Sequence, residues 1–453
     1  MLFSYFENVL DAYTSHSRQI VLAFSGGVDS RVLLDLLSIY RDAHPQHRYL
    51  VIHIHHGLSD DADYWMKQCE VWVHDAGFCF QGLRVQVAQH GKNIEKSARE
   101  ARYRALADNV DVGELIITGQ HADDQVETFL LALKRGSGPA GLAAMPLLRL
   151  LGHANLLRPL LSVTRAEIEL YANSKGLHWV EDKSNLNCRF DRNFIRQSWL
   201  PAAKERWPGL IKAVNRTAKL CAEQEALLEE LLAEHSKKVN IGLGILSLTA
   251  LATYSNRMQS ALVRRWLKKV SGLSASQAQL QELFASVITA SYDANPKLQL
   301  GEWQVRRFQQ RLYLVPVFND ILMWKEVMTI GTVMRLPDGA GELCLVRNTK
   351  AKCCSNIELN VYYSLSLREP AKGETISVGF NPKGLTLHPS ERQKKRKLKK
   401  LYQEYGVPSW LRRRTPLIYY GNHLAAVADL FVCKGFEGKT YDLVWHKNKY
   451  RVR

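Results

Sequence analysis

Six residues, Ser25-Gly26-Gly27-Val28-Asp29-Ser30, set two glycines, two hydroxyls and a carboxylate directly after the apolar run Ile20-Val21-Leu22-Ala23-Phe24. The segment that follows, Arg31-Val32-Leu33-Leu34-Asp35-Leu36-Leu37, has helical periodicity. A strand, a glycine-rich turn and a helix in that order gather backbone N–H groups at a helix N-terminus. Unpaired donors and the helix dipole both favour an anion there, and phosphate is the natural one. Gly26 and Gly27 let the backbone approach the phosphates, and Ser25 and Ser30 add hydroxyl donors. Asp29 is a carboxylate placed among phosphates, an arrangement that makes sense when a divalent cation lies between them. No Gly-Lys-Ser/Thr follows, so the loop is not of the Walker type.

A second cluster is Gly119-Gln120-His121-Ala122-Asp123-Asp124-Gln125-Val126-Glu127-Thr128. It follows an apolar run and opens a helix, and a start near Ala122 puts Asp124 and Glu127 on one face at i, i+3. Capping explains one acid at a helix start, but not three acids plus His121. Asp29, Asp123 and Asp124 are therefore candidate ligands of Mg2+, with recognition of an amine as the other use of these acids. His53, His55 and His56 end another strand. His53 and His55 share one face while His56 points away, which disfavours one metal held by all three and favours a nucleotide-lining or structural role. His55 and Gly119 are expected beside the nucleotide. Lys134-Arg135-Gly136-Ser137-Gly138 reads as a basic loop able to close over phosphates or an RNA backbone. Glu95, Arg99 and Arg102 lie on adjoining positions of one helix face, which a salt-bridge ladder would also explain. Trp179–Asn185 and Asp191–Arg196 are dense in Asn, Ser, Asp and Arg beside aromatics, a composition suited to holding an extruded base.

The elements that position these residues alternate from Ile20 to about Gln120. Strands are expected at Tyr49–Ile54, Phe78–Val87 and Leu115–Gly119, and helices at Glu70–Ala76 and Asn93–Asn109. Such alternation implies an α/β fold with a parallel, doubly wound sheet, whose ligands lie beyond the carboxyl ends of the strands. From about Trp207 to Arg311 the pattern is helical, and from about Ile330 short strand-like runs alternate with turns. The length of 453 residues fits about three domains at roughly 150 residues each. The expected divisions are 1–215 for the phosphate-binding domain, 216–325 for a helical domain and 326–453 for a small, basic α+β domain. A net charge of +17 points to a polyanion, nucleic acid first, and no apolar span or lipidation signal directs the chain to a membrane. The N-terminal Leu2–Leu10 reads as a docking helix and not a signal peptide. Eight scattered cysteines with no CxxC fit reduced thiols in a cytoplasm, and the Cys353-Cys354 pair reads as incidental.

The first hexapeptide resembles the pyrophosphatase-type loop of enzymes that cleave ATP to AMP and pyrophosphate. With His55-His56-Gly57-Leu58, Ala98-Arg99-Glu100-Ala101-Arg102-Tyr103, His121–Thr128, Arg135–Gly138, Arg158-Pro159-Leu160-Leu161 and Glu181–Asn185, the set resembles the bacterial tRNA(Ile)-lysidine synthetases. The match in motifs covers roughly the first 200 residues, and the remainder is similar in size and order to the long form of that family. The resemblance implies that ATP adenylates the wobble cytidine of tRNA(Ile) with a CAU anticodon, and that free L-lysine then displaces AMP. It further implies that Ser25–Ser30 hold the ATP phosphates and that Asp29, with Asp123 or Asp124, holds Mg2+. Asp124 and Glu127 would receive the lysine ammonium groups or help deprotonate the amine. Arg102 would act in catalysis and, with Arg135, face phosphate or RNA; Arg192 and Arg196 would join the RNA contacts. A homodimer is implied by resemblance alone.

His388–Arg414 contains ten Lys/Arg and two Glu. Ser390 is expected to cap a helix over Glu391–Tyr405 with a Leu398, Leu401, Tyr405 apolar stripe, ended by Gly406. Lys394, Lys395, Arg396, Arg412, Arg413 and Arg414 would then contact RNA phosphates. Three other classes compete. A tRNA thiolase would want paired cysteines, a small-molecule amidating ligase would want an ammonia source, and a non-catalytic RNA-binding module leaves the loop and acids unused.

Overall fold

The computed structural model describes residues 2–14, 19–57, 59, 61–86, 94–181, 187–291, 294–348 and 364–447. Leu58, Asn93, Asp182–Asn185, Cys353-Cys354 and the side chain of Glu95 lie outside the described residues. The chain divides into two units, Met1–Glu230 and Leu231–Arg453.

In the first unit, α1 (Leu2–Thr14) precedes β1 (Gln19–Ala23), α2 (Val28–Ala43), β2 (Arg48–His55), α3 (Ala62–Asp75) and β3 (Cys79–Arg84). There follow α4 (Ile94–Asp108), β4 (Leu115–Ile117), α5 (Ala122–Lys134), the short α6 (Pro139–Leu142), β5 (Leu148–Leu151), β6 (Ala154–Leu157) and α7 (Arg165–Ser174). The six strands form one sheet in the order β3-β2-β1-β4-β6-β5. All neighbours are parallel except β5 against β6. Alternate residues of β1 face opposite sides, as strand geometry requires. Ile20 and Leu22 join the core with Val32, Leu33 and Leu36 of α2, while Val21 joins Ile52, Ile116 and the α4 residues Tyr103 and Leu106. Both faces are therefore covered, which is why β1 and β4 are continuously apolar.

The chain leaves β1 toward β2 on one side and reaches β4 on the other. The crevice between β1 and β4 is the topological switch point, where ligands of open α/β sheets bind. The turn after β1 carries the Ser25–Ser30 loop, and the turn after β4 carries His121 and the acids.

Beyond the sheet, α8 (Asp191–Phe194) runs into a π-helical turn (Ile195–Trp199), then α9 (Leu200–Arg206) and α10 (Leu210–Val239). The division expected near residue 215 falls inside the continuous α10. In the second unit, helices such as Asn256–Ser271 pack with a five-stranded antiparallel sheet that includes Lys297–Leu300, Trp303–Phe308 and Arg311–Pro316. Those strands stand where a helical pattern was expected, because Val305, Leu312 and Leu314 alternate inward against Trp266 and Leu283. Residues 325–348 and 364–446 form two further antiparallel sheets of five and four strands that share one core, with a second cluster beside the five-stranded sheet.

The expected helix at Glu391–Tyr405 is shorter, Leu398–Glu404, with Lys397 at its N-cap. Arg392–Lys397 offers no apolar residue for a buried stripe and repeats positive charge at i, i+3 and i, i+4. Instead Arg396–Lys397 pairs with Thr386–Leu387, and the Ser390 N–H donates to the Val432 carbonyl at 2.9 Å. Leu398, Leu401 and Tyr402 are the buried face, so Tyr402 takes the place expected of Tyr405. Gly406, at φ +65°, ends the helix as expected. No helix among the described residues is long and apolar enough to cross a membrane.

Candidate active site

The Ser25–Ser30 loop is held open by backbone geometry. Gly26 sits at φ +81°, and a Cβ there would lie 2.7 Å from Cys69 Sγ and 2.9 Å from a Val180 methyl, so only glycine fits. The Val180 N–H donates to the Gly26 carbonyl at 3.0 Å. Trp179, expected to help hold a base, packs against the core beneath the loop. The Ser25 and Ser30 hydroxyls lie 3.2 Å apart, and Ser30 Oγ donates to the Gly27 carbonyl at 2.9 Å. No side chain caps the N-terminus of α2, so its first-turn N–H groups face the loop without an intrahelical acceptor. His53 Nδ1 bonds the Phe24 carbonyl at 2.9 Å and locks the end of β1 to β2. Burial pushes the His53 imidazole down to about 4, only partly opposed by that bond. His55 is nearly buried and lies 3.2 Å from Asp63 Oδ1, which also takes Arg84 at 2.5 Å.

Asp29 opens α2 and faces the turn after β4. A Cβ on Gly119 would come within 3.1 Å of Asp29 Cβ and 3.2 Å of its backbone carbon. Gly119 thus acts by admitting Asp29. Asp29 accepts both contacts of Arg165 Nη1, at 3.0 and 2.9 Å, and lies 3.7 Å from His121 Nε2. Burial raises the proton affinity of Asp29, and repulsion from Asp124 adds to it, against the lowering effect of His121 and Arg165.

Asp124 approaches the same His121 Nε2, at 3.4 Å, while Asp123 lies on the Nδ1 side at 3.8 Å. Asp123 is also consumed elsewhere, accepting the Arg165 N–H at 2.8 Å and pairing with Lys204. Asp29 and Asp124 thus converge on His121 Nε2, while Asp123 lies on the Nδ1 side. Two convergent carboxylates fit Mg2+, which commonly takes one or two protein carboxylates and completes its shell with phosphate oxygens and water. Among the described residues no group of three or more His, Cys, Asp or Glu forms an all-protein metal cage.

Glu127 is 1% exposed and is gripped by two guanidiniums: Arg192 Nε at 2.7 Å and Arg196 Nε at 2.6 Å. Arg196 also reaches Asp124 at 2.9 Å. A buried carboxylate requires such compensation. Both carboxylate oxygens of Glu127 thus accept from the two arginines. Arg192 and Arg196, both expected at the RNA, are engaged in this network and remain partly exposed. Burial would push Asp124 up, but His121, Arg192 and Arg196 hold it below the usual carboxylate range.

Arg135 is exposed at the end of α5, and Arg102 is half-buried with its guanidinium 5.5 Å from the Tyr103 ring centre. In the second unit Lys394, Lys395, Arg396 and Arg413 are exposed, with Arg396 paired to Glu404 at 2.8 Å. Arg412 is half-buried and donates to the Val407 carbonyl at 3.0 Å. Arg414 is buried, pairs with Asp338 at 2.6 Å and stacks 4.1 Å from the Phe318 ring centre, so its role is internal. Arg165 and Lys204 were not foreseen. A signal for Arg165 was present in Thr164-Arg165-Ala166-Glu167, a capping box that starts α7 and puts Arg165 at its first position.

Three family profiles match the chain. Residues 4–203 match the PP-loop domain, 246–313 the TilS substrate binding domain and 376–446 the TilS substrate C-terminal domain. The tRNA(Ile)-lysidine synthase of Vibrio campbellii is 45% identical, over 99% of this chain and 99% of that protein. That of Photobacterium profundum is 45% identical over 98% and 99%, and that of Vibrio cholerae is 46% identical over 95% of each. Near-complete mutual coverage at this identity, with a PP-loop domain over the residues that build the switch-point site, shows that the chain belongs to the tRNA(Ile)-lysidine synthase family.

Proposed function

We propose that this ATP-using ligase adenylates the C2 oxygen of the wobble cytidine in tRNA(Ile) with a CAU anticodon and then joins free L-lysine to C2, yielding lysidine, AMP and pyrophosphate. The change would turn AUG reading into AUA reading and methionine charging into isoleucine charging. The observation that carries this reading is the convergence of an uncapped helix N-terminus with Asp29 and Asp124 at the β1/β4 switch point.

Ser25, Ser30 and the N–H groups of Val28 to Ser30 would bind the triphosphate, with Gly26 and Gly27 admitting it. Asp29 and Asp124 would hold Mg2+, which supplies charge neutralisation to the departing pyrophosphate. Arg165 orients Asp29 for that task and balances its charge. Arg196, fixed by Glu127 and Asp124, would present its remaining donors to the reacting nucleotide. The lysine ammonium would dock at the Asp124 edge of the cluster, and loss of its proton makes it a nucleophile. Exposed Lys394, Lys395, Arg396 and Arg413 would contact tRNA phosphates. A thiolase is disfavoured because the cysteines near the loop offer no pair: Cys69 is buried against Gly26, with its thiol pushed up to about 12 by burial.

Omitting lysine isolates the first half-reaction. With ATP labelled at the α-phosphate, label should become attached to tRNA(Ile) and be discharged as AMP when lysine is added. Label that never attaches to the tRNA, while pyrophosphate is still released, would contradict the adenylated-cytidine intermediate.

A further inference from the structure

Four arginines surround one phenol next to the site, and among the described residues none has a carboxylate partner. The Tyr103 ring of α4 has Arg149 of β5 at 4.9 Å, Arg99 at 5.0 Å and Arg102 at 5.5 Å from its centre. The fourth, Arg158, is 1% exposed and acts on the same phenol. Its Nη1 donates to the Pro146 carbonyl at 2.6 Å, and its guanidinium also bonds the Tyr103 side chain. Among the described residues, Arg158 Nε and Arg149 Nε are buried donors without a hydrogen-bond partner. Among the described residues, the largest charges acting on Arg99 and Arg158 are those of Tyr103 and other arginines. Burial would raise the Tyr103 phenol, yet Arg99, Arg102, Arg158 and Arg149 outweigh it and hold it below its ordinary value.

Buried cations are ordinarily paired, and buried donors ordinarily bonded. A cluster of this kind is suited to an anion. Guanidinium forks match the oxygens of phosphate, bidentate and charge-assisted. Position narrows the choice. Arg192, which grips Glu127 at 2.7 Å, is close enough to Arg99 to act on its charge, so the arginine cluster adjoins the acid network. The Ser25–Ser30 loop already supplies donors for a triphosphate.

Resting on the function proposed above, we infer that Arg99, Arg149, Arg158 and Tyr103 form a second phosphate subsite, for a backbone phosphate of the RNA beside the nucleotide being modified. Arg149 and Arg99, half-buried, form its mouth, and Arg158 its floor. Engagement of this phosphate would register the target nucleotide against the adenylation site.

The test measures tRNA(Ile) binding by the full chain across a salt series, alongside ATP binding without tRNA, for wild type, Arg149→Gln and Arg149→Lys. Arg149→Gln should weaken tRNA binding roughly tenfold and lower the slope of log K against log[salt] by about 1, leaving ATP affinity unchanged. Arg149→Lys should keep the slope and lose part of the affinity, because it retains charge but not the fork. Weaker ATP binding with an unchanged tRNA slope would assign the cluster to nucleotide phosphate and overturn the inference. An unchanged slope and unchanged affinity would overturn it too. A wild-type chain that binds no tRNA would instead overturn the functional reading itself.

Discussion

Burial decides what each charged residue of this site can do. Glu127 and Asp124 are three apart on α5, and that shared face was legible in the sequence. The consumption of Glu127 by Arg192 and Arg196 was not, because those partners lie 65 and 69 residues further on and local spacing carries no information about them. Asp123 is likewise spent on Arg165 and Lys204. The glycine-rich turn and the donors at a helix start were legible, since both are local, whereas the closeness of Cys69 and Val180 to Gly26 was not. His53 yields a prediction at this scale. It is 6% exposed and its folded value is lowered to about 4 from 6.5, so the unfolded chain takes up the proton first as pH falls. Stability from this group is thus full above pH 6.5 and is lost between 6.5 and about 4, on the order of 3 kcal/mol in all. His53→Asn, which keeps a donor toward the Phe24 carbonyl, should shrink the drop in urea-unfolding stability between pH 7 and pH 5. An equal drop in both proteins would contradict this.

At the scale of elements, the strand–helix alternation was legible because apolar periodicity is itself the physical cause of both. What failed was the basic segment before Leu398. Charge density there was read as the open face of a longer helix, whereas strand pairing of Arg396–Lys397 with Thr386–Leu387 claims the backbone. Arg412, Arg413 and Arg414 were expected to extend that basic patch. A tight turn instead sends Arg414 inward to Asp338 and Phe318 and leaves Arg413 outside. These residues should therefore separate by experiment. Lys394→Ala with Lys395→Ala and Arg413→Ala should leave the melting temperature unchanged and flatten the salt dependence of tRNA binding by about 3. Arg414→Ala should cost roughly 3 kcal/mol of stability, because it strands Asp338 and empties a packed site. A stable Arg414→Ala with a flattened salt slope would return Arg414 to the RNA surface.

At the scale of the whole molecule, sheet order explains why the chemistry sits where it does. The reversal of strand order between β1 and β4 makes a crevice, and both turns that border it carry the reactive groups. A net charge of +17 over the chain suits a polyanionic substrate, and the three family profiles match in the order in which the sequence organises. We propose the division at 1–215, 216–325 and 326–453 as functional, with α10 carrying the chain from the first part into the second. The central claim is that this molecule spends ATP at Asp29 and Asp124 to couple lysine to tRNA(Ile). The most direct measurement is incorporation of labelled lysine into unmodified tRNA(Ile) with a CAU anticodon, with and without ATP, by the wild type and by Asp29→Asn. The account predicts ATP-dependent incorporation by the wild type and a loss of at least a hundredfold in the variant, roughly 2.7 kcal/mol of transition-state stabilisation. Incorporation without ATP, or at the wild-type rate in Asp29→Asn, would contradict it.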